Sequence, residues 1–247
     1  MEDFSEKNRR VFERMSKSYK TDFSSALETL YRTVQSRRLW ISDKWTDTEA
    51  GKGKEIKVLE YACGPGTTSL ALAPFVTQLI GLDIADGMVN DYNNNAREAG
   101  LADKMVGYKG DLLAETVPAD LSGPEFFDFD VVIVSMALHH FEKPDLALKR
   151  FGERLKKGGT CFIIDMVPDH HSHGHSHYDL PSLSDEFKET GETIKTHGFE
   201  RADMQKLYDG AGVGMNFDYQ VVDETLAFKK EGHDFSKTIF VARAQRQ

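Results

Sequence analysis

An α/β fold, with a mostly parallel sheet and helices on both faces, is predicted by three observations. Between about residues 56 and 155, apolar runs of strand length alternate with helical segments, and that alternation implies parallel strands joined by crossover helices. The first run, Ile56 to Tyr61, passes through a turn containing Gly64 and Gly66 directly into a helical segment. Near the end of the chain, Phe217 to Phe228 and Lys237 to Ala244 alternate apolar and polar residues, the pattern of a C-terminal antiparallel hairpin. At 247 residues, the chain suits one large domain, or one domain with appendages.

The elements follow in order. Residues 1–50 read as an N-terminal helical cap. Phe4, Val11, Phe12, Met15 and Tyr19 form an apolar stripe near helical spacing, and a second helical stretch runs from Ser24 to about Trp45. Glu49 to Lys54 is a linker, and residues 51–247 form the main domain. Thr67 and Thr68 open the helix that continues from Ser69 to Phe75, Leu79 to Asp83 is a second strand, and Met105 to Lys109 is a third. Phe129 to Val134 is a fourth apolar run. Asp145 is expected to cap a helix through Leu155, with Pro144 before it and Gly158-Gly159 ending it. Residues 168–197 form a polar, lid-like excursion that carries a short helix from Ser184 to Ile194, and Glu200 to Gly210 is a further helix.

Composition narrows the partners. With 31 basic and 40 acidic residues, the net charge of −9 argues against nucleic acid, whose phosphates need a basic face. The charged start, Met1 to Lys7, lacks a signal-peptide apolar core, and no apolar run approaches membrane-spanning length. Only two cysteines are present, one in a turn and one in a strand, so a cytoplasmic setting is expected. The oligomeric state is left open. Five of the nine histidines fall within residues 170–177; such a tract binds metal opportunistically in a solvated loop, and no fixed metal site is expected.

The glycine turn carries the chemistry. Seventeen residues past Gly66, the second strand ends in Asp83, an acid placed to accept hydrogen bonds from a ribose diol. A dinucleotide turn would have a third glycine where Ser69 stands, and a phosphate loop would have Gly-Lys where Gly66 is followed by Thr67. Glu60, just before the turn, would repel a pyrophosphate and attract an ammonium. A ligand with both a ribose and a cationic amino-acid portion satisfies both acids, and S-adenosylmethionine fits that description.

At these positions the chain resembles the class I S-adenosylmethionine-dependent methyltransferases, which have a Rossmann-like sheet. Their first motif stands as Val58 to Gly66, with Glu60 for the usual Asp and Ala62 for the first Gly. The second stands as Gly81 to Met88, the third as Gly110-Asp111-Leu112, the fourth as Phe129 to Phe141, and the fifth as Leu155 to Asp165. The resemblance covers about residues 56–167. It implies S-adenosyl-L-methionine as cofactor, approached closely by Ala62, Gly64 and Gly66. Glu60 would serve the ammonium through water or backbone, and Asp83 the ribose. Ile84 and Met88 would flank the adenine, Asp111 would take its amine, and Leu112 would back the ring. Tyr19 would offer an aromatic face to the sulfonium.

His139 and His140 follow strand four at the edge of the crevice, so either is a candidate general base, with packing as the alternative role. No Asn-Pro-Pro-Tyr signature follows that strand, where Ser135-Met136-Ala137-Leu138 stands instead. That favours methyl transfer to an O, N or S atom of a small organic molecule. A protein methyltransferase and a non-catalytic regulatory subunit are the alternatives.

Overall fold

The computed structural model describes residues 3–169 and 184–247. Two helices come first, α1 (Phe4–Asp22) and α2 (Ser24–Ile41). The α/β core follows as β1 (Lys57–Tyr61), α3 (Thr67–Leu72), β2 (Gln78–Asp83), α4 (Asp86–Glu98), β3 (Met105–Lys109), β4 (Phe129–Ser135), α5 (Pro144–Arg154) and β5 (Leu155–Met166). The chain ends with α6 (Asp185–Gly191), α7 (Arg201–Gly210), β6 (Met215–Val221), β7 (Leu226–Lys230), β8 (His233–Lys237) and β9 (Ile239–Gln245). The seven-stranded sheet has the order β3-β2-β1-β4-β5-β9-β6. Strands β1 to β5 pair in parallel, and β9 runs antiparallel between β5 and β6.

Period-two alternation builds two cores, because successive strand residues face opposite sides. Leu59, Val132, Val134, Cys161 and Ile163 pack with α5 and α7 on one face. Val58, Val131, Ile133, Phe162 and Ile164 pack with α2, α3 and α4 on the other. Strands buried on both sides explain the unbroken apolar runs in the sequence.

Three expectations are refined. The terminal antiparallel pairing is present, but its first strand stops at Val221. The polar residues Asp223 and Glu224 take the chain out of the sheet, and β7 and β8 form a separate hairpin. Glu231 and Gly232 both have positive φ at its two-residue loop, which suits the twist of a tight hairpin. Asp145 is not the cap of α5: Lys143 occupies that position, and Pro144 fills the first turn, where its missing N–H goes unneeded.

Residues 1–50 also divide in role. Val34, Ile41 and Trp45 are fully buried in the same core as Val58 and Leu72, so α2 is part of the body of the fold. Helix α1 instead crosses the strand ends.

Candidate active site

Strand β1 lies between β2 and β4, so the chain leaves it toward one side and later returns on the other. The strand ends part at such a switch point and leave a crevice. Here it is a cavity of about 740 Å³, within the range of small-molecule sites. Its floor comes from the ends of β1, β2 and β4, and its roof from α1, which contributes Phe4, Ser5, Asn8, Phe12 and Tyr19.

The turn after β1 is held by Asp83. One of its carboxylate oxygens accepts the Gly64 N–H at 3.0 Å, and the other accepts the Ala85 N–H at 3.0 Å. Burial pushes the Asp83 carboxyl up to about 6, against the pull of these backbone donors. The chain passes through left-handed backbone at Ala62 (φ 53) and Gly64 (φ 48), both on the cavity wall. At Ala62 a side chain stands in a conformation that costs about 1 kcal/mol, which explains why the resembled motif has glycine there. Gly66 (φ 80) is obligatory for a second reason: a Cβ there would lie 2.7 Å from Tyr92 and Met105 atoms.

Asp111 stands at another part of the wall. Its Oδ1 accepts from the Tyr61 hydroxyl at 2.9 Å and the Leu113 N–H at 2.7 Å, and its Oδ2 accepts from the Ser5 hydroxyl at 2.9 Å. Across the cavity lining, five carboxylate residues, Asp3, Asp83, Asp111, Glu115 and Glu142, face one cationic side chain, Lys143. That balance fits a ligand bearing an ammonium and a sulfonium, and it opposes a phosphate.

The two histidines have different surroundings. His139 is buried away from the cavity, with its Nδ1 2.7 Å from Asp165 Oδ1 and its backbone N–H donating to Asp165 Oδ2 at 3.1 Å. His140 lines the cavity. Its Nδ1 lies 2.9 Å from the Thr193 carbonyl oxygen, and the Phe12 ring meets it edge-on at 5.0 Å. Burial, reinforced by the neighbouring His139, holds the His140 imidazole well below its ordinary range.

Residues 58–159 match a family model described as a methyltransferase domain. Over those residues the chain is similar to methyltransferase domains. An uncharacterized methyltransferase of Schizosaccharomyces pombe is 28% identical over 130 residues, which are 52% of this chain and 45% of that protein. A ubiquinone biosynthesis O-methyltransferase of Idiomarina loihiensis is 31% identical over 129 residues, covering 51% and 47%. The chain thus spans about half the length of the curated relatives it matches.

Among solved structures, the YcgJ protein of Bacillus subtilis aligns with a TM-score of 0.58 at 16% identity, over 90% of this chain and 98% of that one. Magnesium protoporphyrin IX methyltransferase from Synechocystis, with bound S-adenosylmethionine, aligns at 0.59 and 15%, over 100% and 99%. The fold is the Rossmann-like class I methyltransferase fold.

Of the residues expected from the sequence, Tyr19, Ala62, Gly64, Asp83, Ile84, Met88, Asp111 and His140 all border the cavity. Gly66, Glu60, Leu112 and His139 do not. Leu112 is fully buried in the core, and Leu113 takes the wall position instead. The Glu60 carboxylate is turned into the helix start, where it accepts the Ser69 N–H at 3.0 Å and the Thr68 and Ser69 hydroxyls. Burial raises Glu60 to about 7 despite these donors.

Sequence reading missed Ser5, Asn8, Thr193 and the Asp165 partner of His139. A signal for Asn8 exists: it is the polar member of the helical face Phe4, Asn8, Phe12, Met15, Tyr19. The His-rich tract 170–177 lies outside the described residues. Among the described residues, no cluster of metal-ligating side chains occurs, and no helix is long and apolar enough to cross a membrane.

Proposed function

We propose that this protein transfers a methyl group from S-adenosyl-L-methionine to a small organic molecule held between the strand ends and α1. One observation carries the reading: a cavity at the switch point whose wall presents Asp83 and Asp111 and is rich in carboxylates. Relatives named ubiquinone biosynthesis O-methyltransferase and demethylmenaquinone methyltransferase support a small-molecule acceptor.

When bound, S-adenosylmethionine supplies a methyl group already activated by its sulfonium. The chain then contributes alignment and exclusion of water. An ionised carboxylate offers about four lone-pair sites. Asp83 uses one on each oxygen for the backbone and has one on each left for the ribose hydroxyls. Asp111 has one site left on Oδ2 for the adenine amine. Ile84 and Met88 flank the base, and Tyr19 turns an aromatic surface to the cation. Glu60 and Gly66 support the turn from beneath, and Leu112 anchors the segment that carries Leu113.

Calorimetry tests the reading. S-adenosylmethionine should bind with a dissociation constant of about 1 μM, or about −8 kcal/mol. Asp83→Ala should weaken binding about 100-fold while the far-UV circular dichroism stays unchanged. Unchanged affinity in a folded Asp83→Ala protein would reject the assignment.

A further inference from the structure

We propose that His140 is the general base of this site, held by Thr193 in the tautomer that leaves Nε2 bare, and that the acceptor is a neutral phenol-type hydroxyl compound. The inference rests on the methyl-transfer reading above and deepens it to an acceptor class.

The tautomer follows from the partners. The Thr193 carbonyl oxygen can only accept, and it lies 2.9 Å from His140 Nδ1. The Thr193 hydroxyl donates to the Thr190 carbonyl at 2.6 Å, so its own lone pair faces Nδ1 at 3.1 Å. Both neighbours require a hydrogen on Nδ1. In the neutral ring Nε2 is then a lone-pair acceptor, and it is the nitrogen left to the cavity that His140 lines.

The surroundings keep the ring neutral. His139 packs against it at 4.0 Å between ring centroids, with Asp165 behind His139. Helix α1 adds the uncharged Phe12 and Asn8, whose Nδ2 lies 3.5 Å from the His140 carbonyl. The segment after α6 adds the uncharged Thr193, whose carbonyl bond favours the charged ring but is outweighed by burial. Burial lowers the imidazole's proton affinity, so the base is ready at neutral pH.

The acceptor class follows from what this end of the cavity offers. A bare Nε2 needs a donor, and an ionised carboxylate has none. Carboxylate substrates would also meet the five acids of the wall. Phe4, Phe12 and Phe141 also line the cavity, and aromatic side chains suit a flat ring. A phenol supplies both the ring and a weakly acidic O–H.

The step balances as follows. As the acceptor oxygen bonds the methyl carbon, the carbon–sulfur electron pair stays on sulfur. The O–H pair stays on oxygen, and its proton moves to His140 Nε2. The positive charge thus passes from the sulfonium to the imidazole. A base of low proton affinity suffices, because a hydroxyl becomes strongly acidic as it gains a methyl group. Thr193 acts through His140 and is a positioning residue.

The test is nitrogen NMR of histidine-labelled full-length protein, with His140 assigned from a His140→Gln variant. The expected spectrum has a protonated Nδ1 and a bare Nε2 from pH 8 down to about pH 6. Thr193→Val removes the hydroxyl contact at 3.1 Å but keeps the backbone carbonyl at 2.9 Å, so Nδ1 should stay protonated with a changed chemical shift, and Thr193→Ser should match the parent. Millimolar p-cresol should shift the Nε2 resonance, and benzoate should not.

A protonated Nε2 at pH 7 in the parent chain overturns the proposal. So does a shift with benzoate but not p-cresol. The parent spectrum decides the tautomer even if the Thr193 variants do not fold. Calorimetry on the same sample separates the two readings: the wrong tautomer with intact S-adenosylmethionine binding overturns this inference alone, and absent binding overturns the function beneath it.

Discussion

The floor and the roof of the cavity are built by different physics. Floor residues sit at the ends of fully buried strands and are fixed by short-range bonds, such as Gly64 and Ala85 to Asp83 and Ser69 to Glu60. The floor also buries two carboxylates, Glu60 and Asp83. The roof is α1, tied across long sequence distances. Ser5 reaches Asp111, Glu13 accepts the Gly87 N–H, and Lys7, Arg10 and Arg14 pair with Glu192 and Glu189 near α6. Those ion pairs are partly solvated, and solvated pairs contribute little each. A floor of high local stability under a roof of low local stability lets ligands enter without disturbing the surfaces that orient them.

The largest effect that would sharpen the contrast is on the floor. Gly66→Ala places a methyl 2.7 Å from Tyr92, which is fully buried and has no room to yield, at a φ of 80. Overpacking and left-handed strain together should cost about 4 kcal/mol, read as a lower urea midpoint. The same change at Gly100, also at positive φ but with open space around it, should cost only the backbone strain, about 1 kcal/mol. Equal losses at the two positions would break the picture of a tightly packed floor.

pH separates the regions by sign. Burial raises Glu60 from its ordinary 4.5 to about 7, so the folded floor favours the protonated carboxyl. The stability this group contributes is complete below pH 4.5 and is lost as pH rises through 7, about 3 kcal/mol in all. Asp83 acts in the same direction, with its folded value at about 6. In the roof, bonding to Arg14 lowers Glu189 below 4.5, so that contribution is present above pH 4.5 and is lost as pH falls. Glu60→Gln should therefore flatten the urea midpoint against pH between 4.5 and 7. An unchanged slope would remove Glu60 as its source.

The floor was legible in the sequence, whereas the roof was only partly so. Strand runs, the glycine turn and Asp83 lie within one contiguous strand–turn–helix–strand stretch, where local rules act. Asp111 and His140 come from the ends of later strands in the same series, so the topology that orders the strands also brings these residues together. The depth of Glu60, Leu112 and His139 was not legible, because which of two adjacent residues faces the cavity depends on the turn after the strand. Leu112 and Leu113 are alike in sequence, and only their backbone separates core from wall. Thr193 was hidden because its partner, His140, is 53 residues away. The β7–β8 hairpin was missed because its loop is Glu-Gly rather than Asn-Gly or Asp-Gly.

The smallest effect tests the roof alone. Glu189 receives both Arg10 and Arg14, and it joins the middle of α1 to α6. Glu189→Gln removes the charge but keeps the shape, so global stability should fall by less than about 1 kcal/mol. Local opening responds differently. Amides of α1 exchange through detachment of the helix, which those pairs oppose directly, whereas amides of β1 and β4 exchange only through global unfolding. Hydrogen exchange in residues 4–22 should then quicken about threefold, with β1 and β4 changed far less. Because the pairs are partly solvated, 1 M salt should produce a similar acceleration in the parent chain and little more in the variant. Equal acceleration in the roof and the floor would mean that α1 and the sheet open as one unit, and the distinction between them would fail.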